Sequence, residues 1–460
     1  MTTISQRHRW RRALYWNAAV WGIGGAWTSI FTILFMTFAR AMHSGVFISL
    51  LFLAPFVARL LCWKVPDVVA RARSKKWFYF GAIWLQALSY ALLACCILPG
   101  FLSRQSAYWA VIIFWSLGAF FASAASIAYL SWMGSIFPCR KTFSRMWGVQ
   151  ERYKTYGESA ALVLSSGATI WAMCRNDWKL EPRDEILLAS LIIVSGIVVL
   201  AFSVFFLWRM PDSRVLAAQT SKVEDDAVVM TPRRGVGIGN LLRPLGTPGV
   251  VTLLLYCALF SAVTQMEQAP RSILTHVLLG GSCGLYLFNS ISKILMSFAQ
   301  GALGPFVGGY ADRFGTLPVM IAAQAITAFG ALFYAIACAS GAWFWMIFAQ
   351  WMWIAYIGLN VSLPKYQLEL SGREDAMALL SLYSVVSALA SIFGCVFGAL
   401  LLQWGGKLSE NFLFYTVLFC VAFVVRLLCA LVLSFGQDTG GTQRRKIPKR
   451  KDVCAYSDSA

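Results

Sequence analysis

Charged side chains inside long apolar stretches are the residues of this 460-residue sequence that could do chemistry. Glu158 and Glu267, two of the 20 acidic residues, fall within such stretches, and so do Arg59 and Lys293. If these stretches cross a bilayer, a charged group there costs at least about 2.5 kcal/mol unless it faces a cavity or finds a partner. The two carboxyl groups are therefore candidates for binding and releasing a proton, and the two basic groups are candidates for binding a substrate.

Each of these charges also has a structural interpretation. Glu158 could form a static ion pair with Arg59, which lies at a comparable depth in another stretch. Glu267 stands near the end of its stretch, and we expect its carboxylate to extend to water, although Pro270 could instead open polar backbone to a cavity. Lys293 lies deeper, where it could bind an anionic substrate or balance Glu267.

Uncharged side chains at mid-depth add a second set of candidates. Neutral polar residues that could hydrogen-bond a solute are Asn17, Gln265, Asn289, Gln350 and Asn360. Each could equally satisfy a neighbouring helix. Trp21 lies deep enough to stack on a substrate ring, although packing against lipid is the more common role. Arg426, in the last apolar stretch, is expected to stabilise packing.

The elements that must position these residues are membrane-spanning helices. The chain is 59% hydrophobic and 13% charged, whereas a soluble domain carries roughly a quarter charged residues. Stretches of about 20 apolar residues, enough to cross a bilayer core about 30 Å thick, recur along it. In the first half these are 13–38, 45–63, 77–98, 107–137, 147–173 and 186–208. In the second half they are 250–269, 284–306, 317–339, 342–363, 376–402 and 412–435.

The basic residues that give a net charge of +19 lie in short clusters between the apolar stretches, which argues against a nucleic-acid partner. Most fall on the side of the N-terminus when the stretches alternate across a bilayer, as cytoplasmic loops do. We therefore predict a multi-pass inner-membrane protein with both termini in the cytoplasm. Residues 1–208 and 249–436 would form the two halves, joined by a cytoplasmic linker, 209–248. The basic tail, 437–460, is predicted to be disordered and to contact membrane lipids.

The most specific local pattern combines two glycines, an Asp-Arg pair and a closing glycine. These residues are Gly308, Gly309, Asp312, Arg313 and Gly315. The first two glycines would let helices approach closely, and the last would permit a sharp reversal in a tight turn. The aspartate could accept hydrogen bonds or pair with a cation at a neighbouring helix end, and so latch one conformation. The same residues would also suit a tight helix hairpin without a gating role.

This pattern resembles the signature loop of the major facilitator superfamily. The equivalent place in the first half keeps only an acid and a later arginine, Asp67 and Arg71, and is similar to a degenerate copy. The resemblance implies an all-α membrane fold of about twelve helices in two pseudo-symmetric six-helix bundles. It further implies a monomeric secondary transporter that moves a small solute by alternating access, alone or with a proton.

A membrane enzyme and a receptor without transport activity are the two alternatives to a transporter. An enzyme would need a nucleophile or a general base with a positioned partner, and the sequence contains no HExxH, GxSxG or phosphate-binding loop. We therefore predict a protein that is not an enzyme and has neither cofactor nor metal. A receptor or assembly factor that keeps the transport fold without carrying flux is the alternative that the sequence leaves open.

Overall fold

The computed structural model describes residues 4–29, 45–72, 74–97, 104–137, 143–175, 182–212, 241–247, 249–279, 282–371, 376–405 and 411–437. Twelve long helices dominate this part of the chain. The first six are α1 (Ile4–Ser29), α2 (Gly45–Arg59), α3 (Lys75–Ile97), α4 (Arg104–Ile136), α5 (Phe143–Arg175) and α6 (Pro182–Ser203). The second six are α7 (Val250–Leu278), α8 (Ser282–Phe314), α9 (Thr316–Ser340), α10 (Trp345–Met352 and Tyr356–Ser371), α11 (Ala376–Gly405) and α12 (Phe412–Ser434).

Each predicted apolar stretch overlaps one of these helices, and the predicted fold class is confirmed. Eight helices are long and apolar enough to cross a membrane by length and composition, namely α3, α4, α6, α7 and α9 to α12. Of the others, α5 and α8 pack against each other. Their polar side chains can therefore face protein rather than lipid, which explains why two membrane helices carry a lower mean hydropathy.

The two halves repeat one packing pattern. In the first half α1 packs on α5 and α6, α3 packs on α4 and α6, and α2 packs on α4. In the second half α7 packs on α11 and α12, α9 packs on α10 and α12, and α8 packs on α10. The chain therefore forms two pseudo-symmetric six-helix bundles, the N-bundle and the C-bundle.

The bundles meet along two seams that the same pseudo-symmetry relates. One seam joins α5 to α8, and the other joins α2 to α11. The second seam continues past α2, because α11 also contacts the 3-10 turn Leu60–Lys64 and the short helix Val65–Arg71.

Both ends of the described chain lie on one face of the molecule, here named the terminal face. Trp10 near the start of α1 packs on the cluster that contains Leu207 and Met210 at the end of α6. The Tyr366 hydroxyl, near the end of α10, donates to the Gln437 carbonyl just past α12 at 3.3 Å. Most of the apolar core fills the space between the helices of one bundle, but the cluster of the N-bundle also includes Leu380 of α11.

Three helix ends differ from the predicted boundaries or refine them. The eighth stretch was predicted to end at residue 306, but α8 continues to Phe314, so the Asp-Arg pair lies on a helix and not in a turn. The reversal itself occurs at Gly315, whose φ of 104° lies in the left-handed region, as the sequence predicts. Gly341, with φ 67°, separates α9 from α10. The predicted outer end of the first stretch, most of the linker and residues 438–460 lie outside the described residues.

Candidate functional site

A carboxylate from the C-bundle caps a helix of the N-bundle at the terminal face. Asp312, near the end of α8, accepts hydrogen bonds from the backbone N–H groups of Ser144 at 3.2 Å and Arg145 at 2.8 Å. These amides belong to the first turn of α5, where N–H groups have no partner within the helix and the helix dipole attracts negative charge. Asp312 therefore binds the N-terminal end of α5, which is the kind of contact that the sequence suggested for it.

The same carboxylate is paired with a lysine that sequence analysis missed. The Lys365 ammonium on α10 lies 2.8 Å from the Asp312 carboxylate, and both side chains are about nine-tenths buried. A second acid on α10, Glu369, lies 3.9 Å from the same ammonium. Lys365 follows the predicted tenth stretch, directly after Pro364. Nothing in its local sequence distinguishes it from a lysine at the membrane interface.

Other residues of the predicted latch take different positions. Arg313 is exposed, with its guanidinium 5.1 Å from the centre of the neighbouring Phe314 ring. Asp67 and Arg71 lie on the short helix Val65–Arg71 that contacts α11, and Arg71 is exposed. Asp312 is thus the member of the pattern that carries the described contact between bundles.

Close approach of α5 and α8 depends on glycines at the seam. A Cβ added at Gly308 would collide with the Ser144 carbonyl, and one added at Gly148 would collide with the Gly304 carbonyl. The prediction that both glycines of the pattern allow close packing is wrong for Gly309, because a Cβ there would meet nothing within 4 Å. Gly309 points away from the seam, since successive residues on a helix do not share a face.

These neighbouring glycines provide a matched pair of variants. Gly308→Ala is expected to lower the free energy of unfolding by about 1–3 kcal/mol, because the added methyl group must push α8 away from α5. Gly309→Ala is expected to raise it by up to about 1 kcal/mol, since alanine favours the helix and meets open space. Thermal unfolding of both variants in detergent checks this. Equal effects of the two substitutions would show that the seam does not depend on Gly308.

Further from the terminal face, α5 carries a row of three charged residues. Glu151, Lys154 and Glu158 follow one another at helical spacing and share one side of the helix. The Lys154 ammonium lies 2.9 Å from the Glu151 carboxylate, and it sits 5.4 Å from the centre of the Trp21 ring on α1. Glu151 is 6% exposed. Sequence analysis overlooked it, although it lies inside the predicted fifth stretch and seven residues before Glu158.

Glu158 reaches across the seam between the bundles. Its carboxylate accepts a hydrogen bond from the Ser297 hydroxyl of α8 at 3.4 Å. One residue further along α5, the Ser159 hydroxyl donates to the Ile294 carbonyl of α8 at 3.2 Å. Lys293 lies one turn from Ser297 on the same side of α8 and is half-buried. Glu158 and Ser159 therefore form hydrogen bonds with α8 where the two bundles touch.

The expected ion pair between Glu158 and Arg59 is not formed, and that prediction is wrong. Arg59 lies at the end of α2, on the other seam, with its guanidinium 5.3 Å from the centre of the Phe56 ring. Its Nε is buried without a hydrogen-bond partner in the described structure. The prediction relied on the comparable depth of Glu158 and Arg59 in their two stretches. The two residues do not meet, because α5 and α2 face different helices of the C-bundle.

The expectation that Glu267 extends to water is also wrong. Glu267 is 2% exposed and forms an ion pair with Arg426, which is 3% exposed. The Arg426 guanidinium also donates to the Thr264 hydroxyl at 3.2 Å, and the Gln324 side-chain amide of α9 donates to the Arg426 carbonyl at 3.2 Å. Glu267 is thus turned into the C-bundle, and Arg426 has the packing role expected of it.

Several of the neutral polar candidates form hydrogen bonds inside their own bundles. Asn17 is 3% exposed and donates to the Ser203 carbonyl of α6 at 2.8 Å, so it binds a neighbouring helix. Gln350 donates to the Tyr334 hydroxyl at 3.4 Å, and the Cys395 thiol donates to the Gln265 amide oxygen at 4.0 Å. The half-buried candidates are Gln265, Asn289, Gln350 and Asn360. Among the described residues, no group of three or more His, Cys, Asp and Glu side chains could hold a metal ion.

Solved structures share this architecture. A proton:xylose symporter, XylE, bound to 6-bromo-6-deoxy-D-glucose is similar with a TM-score of 0.61 and 13% identity, over 91% of this chain and 94% of that one. The human organic anion transporter MFSD10 has a TM-score of 0.60 and 13% identity, over 91% and 99%. The nucleoside transporter NupG has a TM-score of 0.52 and 13% identity, over 93% and 97%. No protein-family model and no curated protein sequence matches the chain.

Proposed function

We propose that this chain, which has the major facilitator transporter fold, is a secondary transporter that moves a small solute across the inner membrane by alternating access. The solved structures that share this fold are those of a xylose symporter, an organic anion transporter and a nucleoside transporter. Proteins built from two pseudo-symmetric bundles move their solutes by rocking one bundle against the other around a central site.

The observation that best supports this proposal is the nature of the contacts between the bundles. On the α5–α8 seam at the terminal face they consist of a carboxylate on helix amides and close glycine contacts, while most of each apolar core lies within one bundle. Such polar contacts can be replaced by water when the bundles separate, whereas the two cores stay intact. The described structure then corresponds to the state closed at the terminal face, with Asp312 as the latch.

Orientation and coupling belong to the same proposal. We place the terminal face in the cytoplasm, following the distribution of Lys and Arg between the apolar stretches. Glu158 is the group that would carry a coupled proton, because its carboxylate receives the Ser297 hydroxyl across the seam. Protonation would change that contact, so proton binding and separation of the bundles would be linked.

Transport itself is tested with purified full-length protein in proteoliposomes. Counterflow of labelled xylose, uridine and benzoate covers the solute classes that the similar structures name. We expect saturable, protein-dependent uptake of at least one class. A thermal-shift screen supplies further ligands for the same assay. If the protein binds one or more solutes but transports none of them, the chain is a receptor or assembly factor with a transport fold.

The coupling role is tested by Glu158→Gln in the same vesicles. Uptake by the wild-type protein is expected to change about tenfold or more when an inward proton gradient is imposed, and uptake by the variant is expected to lose that response. The double variant Glu267→Leu/Arg426→Met serves as control, because it removes a buried acid that only the C-bundle contacts. An unchanged response to the gradient in Glu158→Gln would remove Glu158 from the coupling mechanism.

A further inference from the structure

One arginine in the C-bundle carries a charge that no described acid offsets. Arg271 on α7 is half-buried, and its guanidinium lies 4.6 Å from the centre of the Trp353 ring on α10. It forms no salt bridge with any carboxylate in the part of the chain that the structure describes. A charged side chain on a membrane helix is favoured where it is paired or faces water.

The carboxylate closest to Arg271 along the chain is unavailable to it. Glu267 precedes Arg271 by one helical turn on α7, a spacing that would allow an ion pair. Its carboxylate instead binds Arg426 on α12, with both side chains buried. The C-bundle thus satisfies one arginine internally and leaves Arg271 directed towards α10.

The Arg271 side chain reaches between two groups of helices. Helix α7 packs on α11 and α12, whereas α10 packs on α8 and α9. At Trp353 the helix α10 changes into one 3-10 turn, Trp353–Ala355, before it continues as Tyr356–Ser371. A 3-10 stretch in the middle of a helix often marks a functional hinge or local strain.

The Trp353 ring is held in place from several sides. Its backbone carbonyl accepts a hydrogen bond from the Gln300 side-chain amide of α8 at 3.0 Å. Its ring is stacked with Tyr334 of α9 at a centroid distance of 5.6 Å, and Tyr334 in turn receives the Gln350 amide. Trp353 is half-buried, so the part of the indole that Tyr334 and Arg271 leave uncovered is accessible beside the arginine.

Lys293 adds a second basic group at a similar height. It shares one side of α8 with Ser297 and Gln300. Arg271 and Lys293 each lie about 30 Å along their helices from the ends at the terminal face, at 1.5 Å rise per residue. A guanidinium, an ammonium and an indole ring on three neighbouring helices favour a ligand that is both anionic and planar.

We infer that Arg271 and Trp353 form a site, in the half of the C-bundle remote from the terminal face, that binds an organic anion, with the carboxylate of the ligand on the guanidinium and its ring against the indole. This inference rests on the proposed transport function for its biological meaning and on the geometry above for the site. It selects aromatic monocarboxylates over neutral sugars and nucleosides as the solute class.

Binding is tested with purified full-length protein and matched probes. Benzoate and indole-3-acetate are compared with benzamide, indole-3-acetamide and xylose by thermal shift and by titration calorimetry. We expect the two carboxylates to stabilise the wild-type protein and their uncharged amides to bind at least tenfold more weakly. Arg271→Gln is expected to weaken carboxylate binding at least tenfold, and Arg271→Lys less. Trp353→Leu is expected to weaken the binding of indole-3-acetate more than that of acetate, which is titrated as the carboxylate without a ring.

The chain offers a matched control for this site. Arg175 lies 4.9 Å from the centre of the Trp171 ring at the exposed end of α5, where Trp171 is 63% exposed. Arg175→Gln removes an arginine stacked on tryptophan away from the bundle interior and is expected to leave carboxylate binding unchanged. Size-exclusion profiles and unfolding temperatures show that each variant is folded.

The outcomes separate this inference from the transport proposal. Equal binding of amides and carboxylates, no carboxylate binding up to 10 mM (roughly −3 kcal/mol or weaker), or wild-type affinity in folded Arg271→Gln would overturn the anion site. Uptake of xylose or uridine with no carboxylate binding would leave transport standing and remove the anion site. Carboxylate binding that Arg271→Gln abolishes, without uptake of any solute, would leave the site standing and remove transport.

Discussion

Glu267→Gln is expected to lower the free energy of unfolding by about 3–5 kcal/mol, because it leaves the Arg426 charge buried without its carboxylate. Both side chains are at most 3% exposed, and the remaining described donors and acceptors around them are neutral. Water cannot reach the guanidinium to replace the lost partner. Chemical or thermal unfolding in detergent, followed by circular dichroism, measures the loss.

A double variant distinguishes an unpaired charge from general damage to the bundle. Glu267→Leu/Arg426→Met removes both charges and fills a similar volume, and its stability is expected to lie within about 1–2 kcal/mol of the wild type. A single variant that loses less than 1 kcal/mol would mean that the pair is hydrated. A double variant that loses as much stability as Glu267→Gln would mean that the polar contacts themselves hold α7 to α12.

Asp312→Ala is expected to open the terminal face. The substitution removes the carboxylate that accepts two α5 amides across the seam and that pairs with Lys365 inside the C-bundle. Hydrogen bonds that involve charge contribute about 1.5–3 kcal/mol each, and water recovers part of this when the face opens. A net loss of about 2 kcal/mol would shift the ratio of closed to open molecules by roughly 30-fold.

Spin-label distances between the bundles measure this shift. Labels at Arg145→Cys and Tyr310→Cys, in a background without other reactive cysteines, report the separation of α5 from α8, because both side chains are exposed. The closed distance is expected to dominate in the otherwise wild-type protein and a longer distance in Asp312→Ala. Arg313→Ala is the control, since that side chain points to solvent. Identical distance distributions for Asp312→Ala and the control would show that Asp312 is not a latch.

Sequence analysis predicted the helices well because the signal for a membrane helix is local. A run of about 20 apolar residues is sufficient to place it, and each of the twelve stretches has its helix. The glycine pattern likewise located the sharp reversal at Gly315 and drew attention to Asp312. Both features depend on residues that are neighbours in the chain.

The partners of the charged residues could not be predicted, because they depend on which helices face each other. Glu267 and Arg426 are separated by 159 residues, and no periodic pattern links α7 to α12. Equal depth suggested that Glu158 meets Arg59, whereas the two residues lie on different seams. Glu151 and Lys154 are an exception, since their spacing from Glu158 along α5 is visible in the sequence.

The two seams differ in chemistry although symmetry relates them. The α5–α8 seam is held at the terminal face by directional bonds to Asp312, whereas Cys62, Val65 and Leu380 of the α2–α11 seam belong to one apolar cluster. Apolar contacts are non-directional, whereas the hydrogen bonds of a helix cap require a defined geometry. If the bundles rock as proposed, the α2–α11 side would serve as the hinge, and the α5–α8 side would separate when the bonds to Asp312 break.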